Sequence, residues 1–273
     1  MSGLRSLAFD EIAAGTGYGQ SMTDVVDPAD LPDELPDAEA VQHEHPDVTG
    51  GWLRPAVFGA MDGLVSNFAL IMGVVGGTAS LSGDGRHAVV LAGLAGLAAG
   101  AFSMAAGEYT SVASQSEFAK AQIEIEREEI IDHGAAEAAE LATMFVDKGV
   151  DPDTAREVAL QIHRDPEQAV RVHAREEFGI DPDDLPSALL AAGSSFVSFS
   201  LGAVIPLLPF LLGAANAWWS VGLSLGALFG CGAIVTAITD RPWWFGGARQ
   251  LVLGGAAAGL TYLVGDAVGA SLG

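Results

Sequence analysis

The sequence predicts an all-α membrane protein in which five transmembrane helices carry one cytoplasmic, polar helical domain between the second and third. Three observations predict it. Half of the 273 residues are apolar, 35 are glycine and the mean hydropathy is +0.36, which is too apolar for one soluble core. The apolar residues gather in five runs. The charge lies elsewhere: 11 Asp/Glu against Arg5 in residues 1–50, 20 against 7 Lys/Arg in residues 108–186, and 4 against 4 in the rest. A formal net charge of −23 held in this way argues against nucleic acid and against docking on anionic lipid headgroups, and makes cations the natural partners. The single cysteine, Cys231, rules out a disulfide framework or a cysteine metal cage within one chain. Any metal chemistry must use oxygen, imidazole or thioether.

Residues 1–50 contain PADLPDELPDAEAVQHEHPD, rich in proline and acid, and read as an acidic disordered cytoplasmic tail. It lacks the basic start and apolar core of a signal peptide. His43, Glu44 and His45 could chelate a metal or be a solvated segment. The first apolar run, Arg54 to Gly77, offers 23 residues from Pro55 on; at about 1.5 Å per residue this crosses a hydrocarbon core of about 30 Å. Within it Asp62 would lie roughly 13 Å deep, where a charge costs on the order of 2.5 to 3.5 kcal/mol. Such an acid is either a protonated packing residue or part of an ion path. Gly59, Gly63, Ser66 and Asn67 around it are small or polar and leave room for a hydrated ion or a partner helix.

After a short link, a second run begins beyond His87 and continues from AVVLAGLAGLAAGAFSMAAGEY into TSVASQSEFAKAQIEIEREEI without a Gly/Pro break. No stop signal separates lipid from water, so this helix is expected to project beyond the bilayer. Transmembrane helices 1 and 2 then occupy 54–117, and the polar domain 118–186. Its expected helices are the extension to about Asp132, then Ala135–Lys148, Pro152 to about His163, and Pro166–Phe178, with Asp-Pro pairs at 151, 165 and 181 as start signals. The last three spans, within 187–273, are Ser187–Leu212, Ala217–Thr239 and Gly247–Leu272. Pro206 and Pro209 are expected to kink the third. Gly222, Gly226 and Gly230, and likewise Gly265, Gly269 and Gly273, repeat at every fourth position, a spacing that admits a close helix from the same chain or from a second one. With the amino terminus in the cytoplasm, all the basic residues except Arg86 fall inside, and Trp218, Trp219, Trp243 and Trp244 anchor opposite interfaces.

Met104 on the second helix comes within plausible reach of Asp62, with Glu108 one turn later. A thioether beside carboxylates suits an ion of intermediate softness such as Fe²⁺ better than Ca²⁺ or Mg²⁺, although a methionine in a span is more often packing. In the polar domain Glu126 and Glu129 share a helix face, as do Glu137 and Glu140; a fold-back at Gly134 would gather four carboxylates, which repel unless a cation neutralises them. They could equally be solvated faces. No Glu-x-x-His occurs in the chain, which disfavours a di-iron oxidase and an enzymatic role.

RPAVFGAMDGLVSNFALIMGVVGG, AGLAGLAAGAFSMAAGEYTSVASQSE, EREEIIDHGAAEAAEL and GAVIPLLPF, in that order, resemble the vacuolar iron transporter family, whose members also occur in bacteria. The resemblance implies five spans, a homodimer with its pore at the interface, and a cytoplasmic metal-binding domain between spans two and three. It implies transport of Fe²⁺, sometimes Mn²⁺, out of the cytosol in exchange for protons, with no permanently bound cofactor. It makes Asp62 and Met104 pore positions, and Glu126, Glu129, Glu137, Glu140 and Glu177 ligands of the domain's metal cluster. His173 stands where plant members place methionine, and Asn67 where they carry proline. Composition suggests a bacterial inner membrane. A membrane-anchored metal buffer or sensor that does not transport is the alternative.

Overall fold

The computed structural model describes residues 51–79, 85–237 and 242–272; the expectations for the tail 1–50, including His43, Glu44 and His45, lie outside them. Among the described residues the chain forms seven helices and no strand: α1 Leu53–Thr78, α2 Gly85–Asp147, α3 Pro152–Ile162, α4 Pro166–Glu177, α5 Ala188–Leu211, α6 Trp218–Ala237 and α7 Trp243–Leu272. Five of them, α1, α2, α5, α6 and α7, are long and apolar enough to cross a membrane.

The α1 helix packs against all four of the other apolar helices. Glycine allows the approach. A methyl group on Gly63 would run into the carbonyl of Phe199 on α5, and one on Gly202 into the carbonyl of Ala60. Gly265 and Gly269 of α7 likewise rest on Gly73 and Gly77 of α1, so this repeat serves packing within the chain. The other repeat does not: Gly222, Gly226 and Gly230 face open space. The α5 helix stays continuous through Pro206 and Pro209. The α7 helix begins at Trp243, four residues before the apolar run that predicted it, directly after Pro242.

At about 1.5 Å per residue the 63 residues of α2 would run about 95 Å if straight, three times a hydrocarbon core. Only its apolar first part, residues 88–109, can lie in lipid. The remainder turns at His133 (φ −130°, ψ 26°), one residue before the glycine expected to break it. Gly134 is not among the glycines with positive φ, so the turn draws on no left-handed backbone there.

The helices α3 and α4 start where two of the Asp-Pro pairs predict. Asp151 Oδ1 accepts hydrogen bonds from the backbone N–H of Asp153 (3.0 Å) and Thr154 (3.2 Å), and Asp165 Oδ1 from those of Glu167 (3.0 Å) and Gln168 (3.3 Å). The third pair opens a turn, because Pro186 follows too closely for a helix; Asp181 Oδ1 still accepts from the backbone N–H of Asp183 (3.0 Å), and both its oxygens pair with Arg175 (2.9 Å each). Both α3 and α4 pack on α2. Ile123 and Ile130 of α2 meet Ala169, Val170 and Ala174 of α4, with Ile162 and Phe178 at the edge.

Candidate metal sites

Position 126 lies on the same α2 face as Ile123 and Ile130, three and four residues away, so the packing that buries the two isoleucines carries a carboxylate into the domain's interior. Past the turn, Glu137 shares the buried face of Ala138 and Leu141. On α4, His173 sits between Ala169 and Ala174, fully buried. On a straight helix Glu126 and Glu137 would stand about 16 Å apart. The turn at His133 instead brings one ligand atom each from Glu126, Glu137 and His173 within 4.8 Å of one another.

Three polar atoms in this cluster lack hydrogen-bond partners. Nδ1 of His173 comes 2.9 Å from Glu126 Oε1, yet the geometry makes no hydrogen bond, and Glu126 Oε1 and both ring nitrogens of His173 are buried without one. Each such atom costs about 1–3 kcal/mol unless something else satisfies it. Burial, reinforced by Glu177, Glu137, Glu129 and Glu140, pushes the Glu126 carboxyl up to about 7. Burial pulls His173 down to about 4, so its ring is neutral and offers lone pairs near neutral pH. Glu137 and Glu177 are also raised, by partial loss of solvent first, although the side chain of Glu177 stays largely open to water, and by neighbouring carboxylates second. Glu129, Glu140 and Glu177 are exposed and form an anionic rim. Convergent lone pairs from a neutral imidazole and carboxylates are a donor set for a divalent transition ion.

The second group is a cleft of about 290 Å³ between α1, α2 and α5, lined by Asp62, Ser66, Asn67, Met104 and Phe199 among others. Asp62 is half-buried and accepts a hydrogen bond from Ser66 Oγ at 2.8 Å. Asn67 is 2% exposed and donates through Nδ2 to the carbonyl of Ala203 at 2.6 Å. A carbonyl can only accept, so the other amide atom, Oδ1, is an oxygen; it is buried and unpartnered. Carboxylate, amide oxygen and thioether therefore border one space. Glu108, half-buried one turn beyond Met104, does not line it.

One residue near the cluster escaped the sequence reading. His163 closes α3, and its ring stands edge-on to that of His173 with centroids 5.2 Å apart. It belongs to no periodic motif; its place at the end of a short amphipathic helix is the one signal that could have found it.

The family model described as the VIT family matches residues 53–266, a stretch that contains both groups. The chain belongs to the VIT family. Within it, the chain is 36% identical over 221 residues to a vacuolar iron transporter of Acanthamoeba castellanii, covering 80% of this chain and 76% of that protein. It is 32% identical over 232 residues to vacuolar iron transporter 1 of Oryza sativa subsp. japonica, covering 83% and 90%. Vacuolar iron transporter 1 of Arabidopsis thaliana matches at 32% over 163 residues, 60% and 63% of the two chains.

Proposed function

We propose that this protein moves Fe²⁺, with Mn²⁺ as a second cargo, out of the cytosol in exchange for protons. The observation that carries the reading is the cleft, where an acid, an unpartnered amide oxygen and a thioether meet among apolar helices. Met104 adds softness that favours Fe²⁺ over Ca²⁺ or Mg²⁺. Asp62 accepts either a metal or a proton, and their competition for one carboxylate couples the two flows.

Glu126, Glu137 and His173 capture the ion first, with Glu129, Glu140 and Glu177 drawing it in. Met104 and Glu126 are 22 residues apart on α2, about 33 Å along the axis and about 40° around it, so one face of one helix serves both sites. The cleft is open at Ser66 and Leu70, both exposed. An acid turned to lipid is costly, so that side needs cover, and a second copy of the chain would supply it as a homodimer. The basic residues support an amino terminus and acidic domain in the cytoplasm, and the Ala/Gly-rich, acidic composition supports a bacterial inner membrane.

Proteoliposomes under an imposed pH gradient test this. Fe²⁺ flux should fall by about tenfold or more in Asp62→Ala and in Met104→Ala, while Fe²⁺ binding by the domain persists. Undiminished flux in Asp62→Ala overturns the mechanism. The rival, a metal buffer that does not transport, is favoured by the completeness of the cluster alone and predicts binding without flux in the parent protein.

A further inference from the structure

His163 holds its ring in one orientation through one carbonyl. Its backbone N–H and its Nδ1 both approach Ala159 O, at 3.1 and 2.9 Å. A carbonyl accepts and never donates, so Nδ1 carries the proton and the neutral ring leaves its lone pair on Nε2. That atom is buried and has no hydrogen-bond partner. A histidine whose one nitrogen is tied to a backbone carbonyl while the other is bare has the arrangement typical of a metal-binding imidazole.

The surroundings agree. The neighbouring ring, 5.2 Å away and nearly perpendicular, is His173, itself fully buried with both nitrogens unpartnered. The His173 ring supplies one of the three atoms that converge within 4.8 Å, so His163 packs directly against the cluster, its own nitrogen lying just outside those three. The other two convergent atoms belong to Glu126 and Glu137 of α2, on both of which Glu129 and Glu140 act; His133 at the turn of α2 also acts on Glu137.

We propose that His163 is a further metal ligand of this cluster, binding through Nε2, so that the domain presents two imidazoles from α3 and α4 to its ion. The inference rests on reading the cluster as a metal site. Its consequence is selectivity: imidazole favours Fe²⁺, Co²⁺ and Zn²⁺, whereas carboxylates alone suit Mn²⁺ and Mg²⁺. Losing the second imidazole should weaken Zn²⁺ binding by about tenfold or more, the scale on which outer-shell partners already act, and weaken Mn²⁺ binding less.

The test uses the full chain in detergent with His43, His45, His87 and His133 changed to alanine, which leaves two histidines. One equivalent of Cu²⁺ is the probe, and the number of imidazole nitrogens coupled to it is counted by electron paramagnetic resonance. Two are expected in this parent and one in either His163→Gln or His173→Gln. One coupling in the parent, unchanged in His163→Gln and lost in His173→Gln, overturns the proposal while leaving the cluster standing; no coupling in the parent overturns the cluster reading as well. Should a variant misfold, nitrogen-15 histidine resonances of the parent decide alone. Zn²⁺ should shift both Nε2 signals, and a shift of the His173 signal only sinks the proposal.

Discussion

At the scale of single residues, Glu126 and His173 make the domain's stability depend on pH in opposite senses. Glu126 binds its proton more tightly folded than unfolded, being raised from 4.5 to about 7. Its contribution to stability is full below 4.5 and is lost as pH rises through 7. His173 is lowered from 6.5 to about 4, so its contribution is present above 6.5 and lost as pH falls through 4. Between 4.5 and 6.5 the two oppose each other; above 6.5 the carboxylate alone remains, with Glu137 and Glu177 shifted the same way. The metal-free protein should therefore lose thermal stability as pH rises from 6.5 to 8. A divalent ion takes the place of the protons, so Zn²⁺ should raise the unfolding midpoint more at pH 8 than at pH 6. Circular dichroism melts check both; a metal-free midpoint that climbs over this range contradicts the buried-carboxylate account.

At the scale of elements, the polar domain is held by short-range rules that a sequence displays and by one turn that it hides. The starts of α3 and α4 were legible because an aspartate before proline supplies an acceptor to N–H groups that have no other partner. Asp151→Ala should cost about 1 kcal/mol and speed hydrogen exchange at Asp153 and Thr154, with α4 unaffected; equal loss of protection at Glu167 would mean that the cap acts through the whole domain. The burial of Glu126 could be foreseen from its register with Ile123 and Ile130. The position of the turn could not, since His133 has no local feature that marks a break and Gly134, which does, keeps an ordinary backbone. Gly134→Ala accordingly should leave metal binding intact and change stability by no more than about 1 kcal/mol. The convergence of α3 on α2 is likewise a tertiary event, which is why His163 stayed out of the sequence reading, while His173 entered it through the family resemblance, at a position where plant members place methionine.

At the scale of the whole molecule, the five apolar helices and their order were legible from length and hydropathy, because crossing a bilayer leaves few alternatives to a long apolar helix. What length and hydropathy leave out is how cluster and cleft divide the work. An ion held within about 33 Å of the cleft is at a local concentration on the order of 10 mM. A capture site of this kind raises occupancy at low supply and adds nothing once the cleft is saturated. Combining Glu126→Gln, Glu137→Gln and His173→Gln should therefore raise the half-saturating Fe²⁺ concentration by roughly tenfold or more while the maximal flux stays within about twofold. Asp62→Ala should do the reverse, cutting maximal flux with the domain still loaded. Measuring flux against Fe²⁺ concentration for both variants separates the roles. If the triple substitution lowers the plateau and leaves half-saturation unchanged, the cluster belongs to the translocation step itself, and capture followed by relay along α2 is the wrong division of labour.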